Sequence, residues 1–367
     1  MINKNILEVC LSPDLGGLEL YMCKCSERLS EDFNVISVIG NNSKLEDYYK
    51  NTQSQYYSLK RKSSFSLINA IKLSKIIDSN NIDIIHLHWT KDLPIVVLAK
   101  VFSKRKPKVV QSRHMTMTRF KDDFYHKFLY KNIDLMIAVT KELERQLIKF
   151  IPDDIRPKIK QVYLGAQCSS LYSDEDINSF KNSIDSKESF VVGLIGRINE
   201  FKGQYLLIEA MNKLKEKDLN IKAFFVGHPM KEEYLVELKE KVKSYSLNED
   251  VKFLGFTNEP HKFMQTCDVV IMASKNETFG LVTIEAMQMG TVVIGANAGG
   301  VLEIIDDNEN GLLFESQNST DLADKIEKLY FDNTLKEKLA KNGQKKANES
   351  FNNDVQFDKI INIFKSF

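Results

Sequence analysis

Short runs of β-branched and apolar residues recur along this 367-residue chain, separated by longer stretches whose apolar positions return every three or four residues. In the first half the runs "NILEVCLS", "FNVISVIG", "IDIIHLHW", "KVVQSRH" and "LMIAVT" read as strands. The stretches "LELYMCKCSERLS", "SLINAIKLSKIIDSN" and "DDFYHKFLYK" read as helices. Strand and helix in regular alternation predict a parallel sheet covered on both faces. The alternation pauses at residues 165–189, "GAQCSSLYSDEDINSFKNSIDSKES", which are polar with few apolar anchors. It restarts at "FVVGLIGR" and continues through "KAFFVG", "VKFLGF", "DVVIMAS" and "TVVIGAN". The pattern predicts two doubly wound α/β domains, residues 1–175 and 176–350, joined in the polar stretch. The tail "DVQFDKIINIFKSF" has helical spacing of Phe and Ile and should dock an apolar face. Two such domains side by side would leave a cleft at the carboxyl ends of their strands, where open α/β sheets bind ligands.

Composition changes this picture little. The length suits two domains, and 43% hydrophobic with 28% charged residues is an ordinary globular balance. The net charge of +1 gives no global pull towards nucleic acid or a membrane. The charge is uneven, however. Residues 1–175 hold 27 Lys and Arg against 20 Asp and Glu, a net of +7, which leaves −6 for the remainder. Either the first half faces an anionic partner or the lysines are simply scattered over a solvated surface. Five cysteines, Cys10, Cys23, Cys25, Cys168 and Cys267, lack paired spacing and fit a reducing cytoplasm. The N-terminal apolar run is too short for a signal peptide, and no run of ~18 apolar residues marks a spanning helix.

The candidate chemistry concentrates in "SKNETFGLVTIEAMQMGTVVIGANAGG", residues 274–300. Here a strand leads through a glycine-bearing loop into an apolar helix that nevertheless carries Glu285. At its start, the N–H groups of Phe279, Gly280, Leu281 and Val282 with the helix dipole make an anion site suited to phosphate. Glu277 and Glu285 bracket that site, and a carboxylate accepts paired hydrogen bonds from vicinal sugar hydroxyls. A nucleotide sugar would fit: pyrophosphate in the middle, ribose and hexose to either side. On residues alone, a Glu285–lysine pair with Glu277 capping the helix stands equally open. In "GRINEFKGQYLLIEAM", Arg197 follows a strand and Lys202 enters a helix, where both could compensate a diphosphate leaving group without a metal. Gly16 and Gly17 in "PDLGGLEL" permit close backbone approach, or only a tight turn. His86 and His88 share one face of a strand, but no carboxylate or third histidine follows closely, so a structural or cleft-lining role is expected of them. His114 ends another strand.

These residues together resemble a retaining GT-B glycosyltransferase of the large family 4. The match spans nearly the full length, and "ETFGLVTIEAMQMGTVVIGANAGGVLEII" with "NGLLF" shortly after is its most specific element. The resemblance implies two Rossmann-like domains facing across a cleft, with a C-terminal helix at about 351–367 returning to the first. Position by position it gives Arg197 and Lys202 the donor diphosphate, Glu285 the ribose and Glu277 the hydroxyls of the donor sugar. Thr278, Phe279, Gly280, Leu281 and Val282 form the backbone segment beside sugar and phosphate. His114 lies near the donor sugar, and Gly16 and Gly17 belong to the loop over the phosphates. At the junction "YLGAQ" keeps Gly165 but has Leu164 where members often have Asn.

The implied activity is metal-free transfer of a hexosyl group from a nucleotide diphosphate sugar, UDP-linked on family frequency, to an acceptor hydroxyl. No cofactor is expected, and no nucleic-acid partner. The acceptor is expected to be a saccharide or a lipid-linked or lipopolysaccharide-type saccharide, in bacterial surface-glycan synthesis. "VFSKRKPKVV" and "FKDDFYHKFLYK" in the basic half suggest a cytoplasmic enzyme with peripheral contact to an anionic membrane. Competing readings are a GT-B-like sugar-nucleotide epimerase or hydrolase, and a catalytically idle subunit of a partner transferase.

Overall fold

The computed structural model describes residues 4–52, 54–60, 63–167 and 170–367. The chain divides into two compact units, Met1–Tyr163 with Gln356–Phe367, and Leu164–Val355. In the first unit seven parallel strands form one sheet: β1 Asn5–Cys10, β2 Asn34–Gly40, β3 Tyr56–Leu59, β4 Ile84–Leu87, β5 Lys108–Arg113, β6 Leu135–Ala138 and β7 Lys158–Gln161. Their order is β3-β2-β1-β4-β5-β6-β7. The inner strands are buried almost throughout, as expected of a sheet covered on both faces. The winding reverses between β1 and β4, the switch point of the sheet.

The second unit repeats the plan with β8 Phe190–Ile195, β9 Ile221–Val226, β10 Val251–Gly255, β11 Val269–Met272, β12 Val292–Ala296 and β13 Leu312–Phe314, ordered β10-β9-β8-β11-β12-β13. Its core joins Leu207 and Met211 of the helix Gln204–Lys215 to Phe225, Ile271, Ile294 and Phe314 of the sheet. Here the switch point lies between β8 and β11.

The division of the chain falls at 163/164, where the sequence pattern places it at 175/176, and the return falls at 355/356 inside the helix Asn353–Lys365, near the expected start at about 351. The polar stretch misplaces the junction because hydrogen bonds anchor it where apolar side chains do not. Gln288 Nε2 donates to the Ala166 carbonyl (3.0 Å), and the Gln265 amide exchanges bonds with the Tyr172 backbone at 2.8 and 2.9 Å. The two crossings run together: Ala166 N–H donates to Phe351 O (2.8 Å) and Asn353 N–H to Ala166 O (3.2 Å). Gly165 is needed there, since a Cβ would stand 2.6 Å from the Asn352 backbone. Cys10, Cys23, Cys25 and Cys267 are buried free thiols, and Cys168 lies outside the described residues. Among the described residues no helix is long and apolar enough to cross a membrane.

Candidate functional site

The candidate residues divide between the units. Arg197, Lys202, Glu277 and the 278–285 segment belong to the second, whereas Gly16, Gly17 and His114 belong to the first. In the second unit the segments after β8 and β11 leave the sheet at its switch point. Asn199 Oδ1 accepts the Phe201 N–H (2.9 Å) and starts a short 3-10 turn, Glu200–Lys202. Gly203 follows at φ 73°, and any Cβ there would lie 2.3 Å from the Ala273 carbonyl oxygen. That close approach, with the Lys275 N–H bond to Phe201 O (2.9 Å), ties the turn to the loop after β11. Lys202 Nζ thereby donates to Glu277 Oε2 at 2.7 Å.

The loop carrying Glu277 is fixed from its other side by "NAGG". The Gly300 N–H donates to Glu277 O (2.8 Å), and a Cβ on Gly300 would lie 2.1 Å from Thr278 O. Gly280 then caps the helix Leu281–Gln288. The N–H groups of Leu281 and Val282 fall in its first turn, which has no intrahelical acceptor for them, while Thr283 N–H closes on Gly280 O (2.9 Å). Phe279 is buried edge-on to Phe351 at 5.9 Å. Glu285 is not buried, as its apolar neighbours in sequence suggested. It shares a half-exposed stripe with Leu281 and Val282, while Thr283, Ile284, Ala286 and Met287 face the core.

A cavity of 550 Å³ opens beside this arrangement, lined by Arg197, Lys202 and Glu277 and also by Phe201, Met230 and Tyr234. The last three escaped the reading of the sequence. Tyr234 is buried with no hydrogen-bond partner for its hydroxyl, and burial pushes that hydroxyl up to about 12. Such a hydroxyl is a donor for an incoming ligand oxygen. The cavity joins an exposed guanidinium, Arg197, and the ammonium groups of Lys202 and Lys231 to the carboxylates of Glu200 and Glu277, a set able to hold an anion next to a polyol.

In the first unit neither Gly16 nor Gly17 has a positive φ. Gly16 caps the helix Gly17–Leu29, its N–H bonded to Glu19 Oε2 at 2.9 Å, and a Cβ on Gly17 would meet nothing within 4 Å. The pair supplies bare backbone rather than an obligatory turn. His114 is half-buried, edge-on to Tyr21 at 4.9 Å, with Nε2 enclosed and unpartnered. Burial first, and the neighbouring His88 and His86 next, lower it to about 3, so it is a neutral imidazole.

The structural role expected of His86 and His88 rests on a carboxylate distant in the sequence. Glu8 of β1 pairs in register with His86 of β4, and it is fully buried. Its Oε1 meets His86 Nδ1 at 2.9 Å and its Oε2 bonds His88 Nε2, while His86 Nε2 meets Ser112 Oγ at 2.8 Å. Burial alone would raise Glu8, but His86 and His88 overcome it and hold the carboxyl well below its usual range. Burial lowers His88 to about 4, so at neutral pH His88 donates through Nε2 as a neutral ring. Cys25, His86 and His88 offer three potential metal-ligand atoms within 4.8 Å of one another. Hydrogen bonds engage both His86 nitrogens, and burial raises the Cys25 thiol well above its ordinary value, which disfavours the thiolate a metal needs.

Two family models match the chain: glycosyl transferases group 1 over residues 174–346, and glycosyl transferase 4-like over residues 8–140. An uncharacterized glycosyltransferase of Methanocaldococcus jannaschii is 28% identical over 359 residues, 94% of this chain and 93% of the relative. A Campylobacter jejuni protein named N-acetylgalactosamine-N,N'-diacetylbacillosaminyl-diphospho-undecaprenol 4-alpha-N-acetylgalactosaminyltransferase is 26% identical over 295 residues, 77% of this chain and 76% of the relative. Among solved structures, Anabaena HepE in complex with UDP and glucose superposes with a TM-score of 0.86 at 22% identity, covering 100% of both chains. That likeness shows the GT-B fold.

Proposed function

We propose that this chain, which belongs to the glycosyl transferases group 1 family, moves a hexosyl group from UDP-sugar to an acceptor hydroxyl with retention of configuration. The observation that carries this reading is the Lys202–Glu277 pair at the cavity wall, held beside the first turn of Leu281–Gln288 by two glycine contacts. Arg197, Lys202 and the first-turn N–H groups take the negative charge that develops on the leaving diphosphate, without a metal. Glu277 accepts hydroxyls of the sugar, and Glu285, on the half-exposed stripe, accepts those of the ribose. The acceptor oxygen bonds to the anomeric carbon on the face from which UDP departs, and its proton passes to the departing phosphate oxygen. For Gly16, Gly17 and His114 in the first unit, the family resemblance supports a part in donor binding.

UDP as the carrier is supported by the UDP-bound Anabaena structure. The diphospho-undecaprenol named for the Campylobacter jejuni relative supports a lipid-linked saccharide acceptor in surface-glycan synthesis, met at the inner face of the cytoplasmic membrane. Calorimetry with UDP, GDP and ADP in metal-free buffer tests the reading. UDP should bind, and Glu285→Ala should weaken it at least roughly tenfold with an unchanged melting temperature. Equal affinity in that variant removes Glu285 from the site, and failure of all three nucleotides to bind overturns the proposal.

A further inference from the structure

Helices Leu67–Ser79, Leu93–Phe102 and Phe124–Tyr130 follow β3, β4 and β5, and all three connections cross the first sheet in the same direction. Right-handed crossovers therefore lay them side by side on one face. The middle helix is buried along most of its length. The outer two and the loop before Phe124 are not: Phe124 is 87% exposed, Ile68 69%, Phe120 59% and Phe65 56%, with Leu67 and Phe128 also open to solvent. A single exposed Phe needs no account, but a set of this kind on one layer does.

The stretch of sequence that supplies this layer is strongly basic. Residues 60–131 hold 16 Lys and Arg against 5 Asp and Glu, a net of +11, while the other residues of this +1 chain sum to −10. Lys72 and Lys75 stand exposed on the first helix, Arg119 before the third and Lys127 on it. Of the acids in the stretch, Asp123 is engaged by the backbone and ring of His126, Asp83 by Arg105, and Asp92 by the Leu11 N–H.

From this juxtaposition we infer that the outer helices Leu67–Ser79 and Phe124–Tyr130 form a docking surface for an anionic lipid bilayer, with Ile68, Phe120 and Phe124 entering the acyl boundary and the lysines meeting the headgroups. Charge complementarity selects this occupant. A bilayer surface takes up isolated aromatics among cations without the matched pockets that a protein partner must supply. The inference deepens the proposed function, because a lipid-linked acceptor is presented at such a surface.

Flotation with phosphatidylcholine vesicles, with and without 30% phosphatidylglycerol, tests it. The wild type should float only with anionic vesicles, and less so as salt rises. Ile68→Ser with Phe124→Ser should lower the partition roughly tenfold, and Lys72→Glu with Lys127→Glu should lower it as much while flattening the salt dependence. No flotation at low salt overturns the surface, and so does binding unchanged in both double variants. Equal retention on polyglutamate beads, insensitive to the apolar substitutions, overturns it in favour of an acidic protein. UDP affinity, measured on the same preparations, should be unchanged in both variants. Its presence without flotation sinks this inference alone, whereas its absence in the wild type sinks the proposed function.

Discussion

Each unit places an acid against bases where its sheet reverses winding, and the two constellations behave in opposite ways. In the first unit Glu8 is fully buried and fully engaged by His86 and His88. In the second, the Lys202 and Glu277 side chains are 28% and 20% exposed and open onto a cavity. A carboxylate removed from water must have its partners within the fold, so Glu8 serves the fold. A half-wet pair is worth little to stability, and its partners can be exchanged for those of a ligand. Position at the switch point does not by itself make a residue functional. The accessibility of its hydrogen-bonding capacity does.

The sharpest break of this contrast is Glu8→Leu. It leaves two buried imidazoles without their acceptor and should cost about 3–5 kcal/mol of stability in denaturant melts. Nucleotide binding in protein that remains folded should be unaltered. A loss below ~1 kcal/mol would mean that the histidines re-pair at little cost. Lys202→Ala is the converse. It should lower transfer on the order of a hundredfold, about 2.7 kcal/mol of transition-state stabilisation, while moving stability by less than ~1 kcal/mol. A variant that unfolds instead would place Lys202 with Glu8.

Acid sharpens the comparison further. His88 and His114 titrate at about 4 and about 3 in the folded chain, against 6.5 ordinarily, so the unfolded chain takes up protons first as pH falls. Stability should decline from about pH 6.5 towards 4, by on the order of 5 kcal/mol for the two rings together. Glu8, held low in the fold, adds a second loss below its ordinary 4.5. Hydrogen exchange should show the first unit opening before the second, and a parallel loss in both would contradict the assignment. The smallest effect should come from Gln356→Ala, which removes the 2.6 Å donor to the Tyr21 hydroxyl beside His88 and His114. About 1 kcal/mol is expected from melting.

The central strands were legible because both of their faces are buried and their sequences are continuously apolar. The edge strands β3 and β7, "YYSL" and "KIKQ", were not. Leu59 is the one buried residue of the two, so four residues carry too little apolar signal. Lys202, Glu277 and the start of Leu281–Gln288 were legible since short loops after adjacent strands must emerge together. Glu8 was hidden for the same kind of reason in reverse. It lies 78 residues from His86, inside "NILEVCLS", and only the β1–β4 register makes them neighbours. Tyr234 was missed because it stands on a helix whose other turns are ordinary amphipathic surface. Gly299 and Gly300 could have been read as a mark of close backbone approach, since paired glycines just after a strand admit what a Cβ would block.

The boundary inside Asn353–Lys365 makes the whole second unit an insertion in the first. During synthesis the β7 side of the first sheet is made early, yet Phe33 and His86 wait for Phe364, and Tyr21 waits for Gln356. The first unit to begin folding is therefore the last to finish. Until the C-terminal helix emerges, a nascent chain carries a completed second unit beside a first whose Glu8–His86 layer is still open on the side that helix covers. Premature termination just before residue 356 should then yield an aggregation-prone product rather than a shorter enzyme.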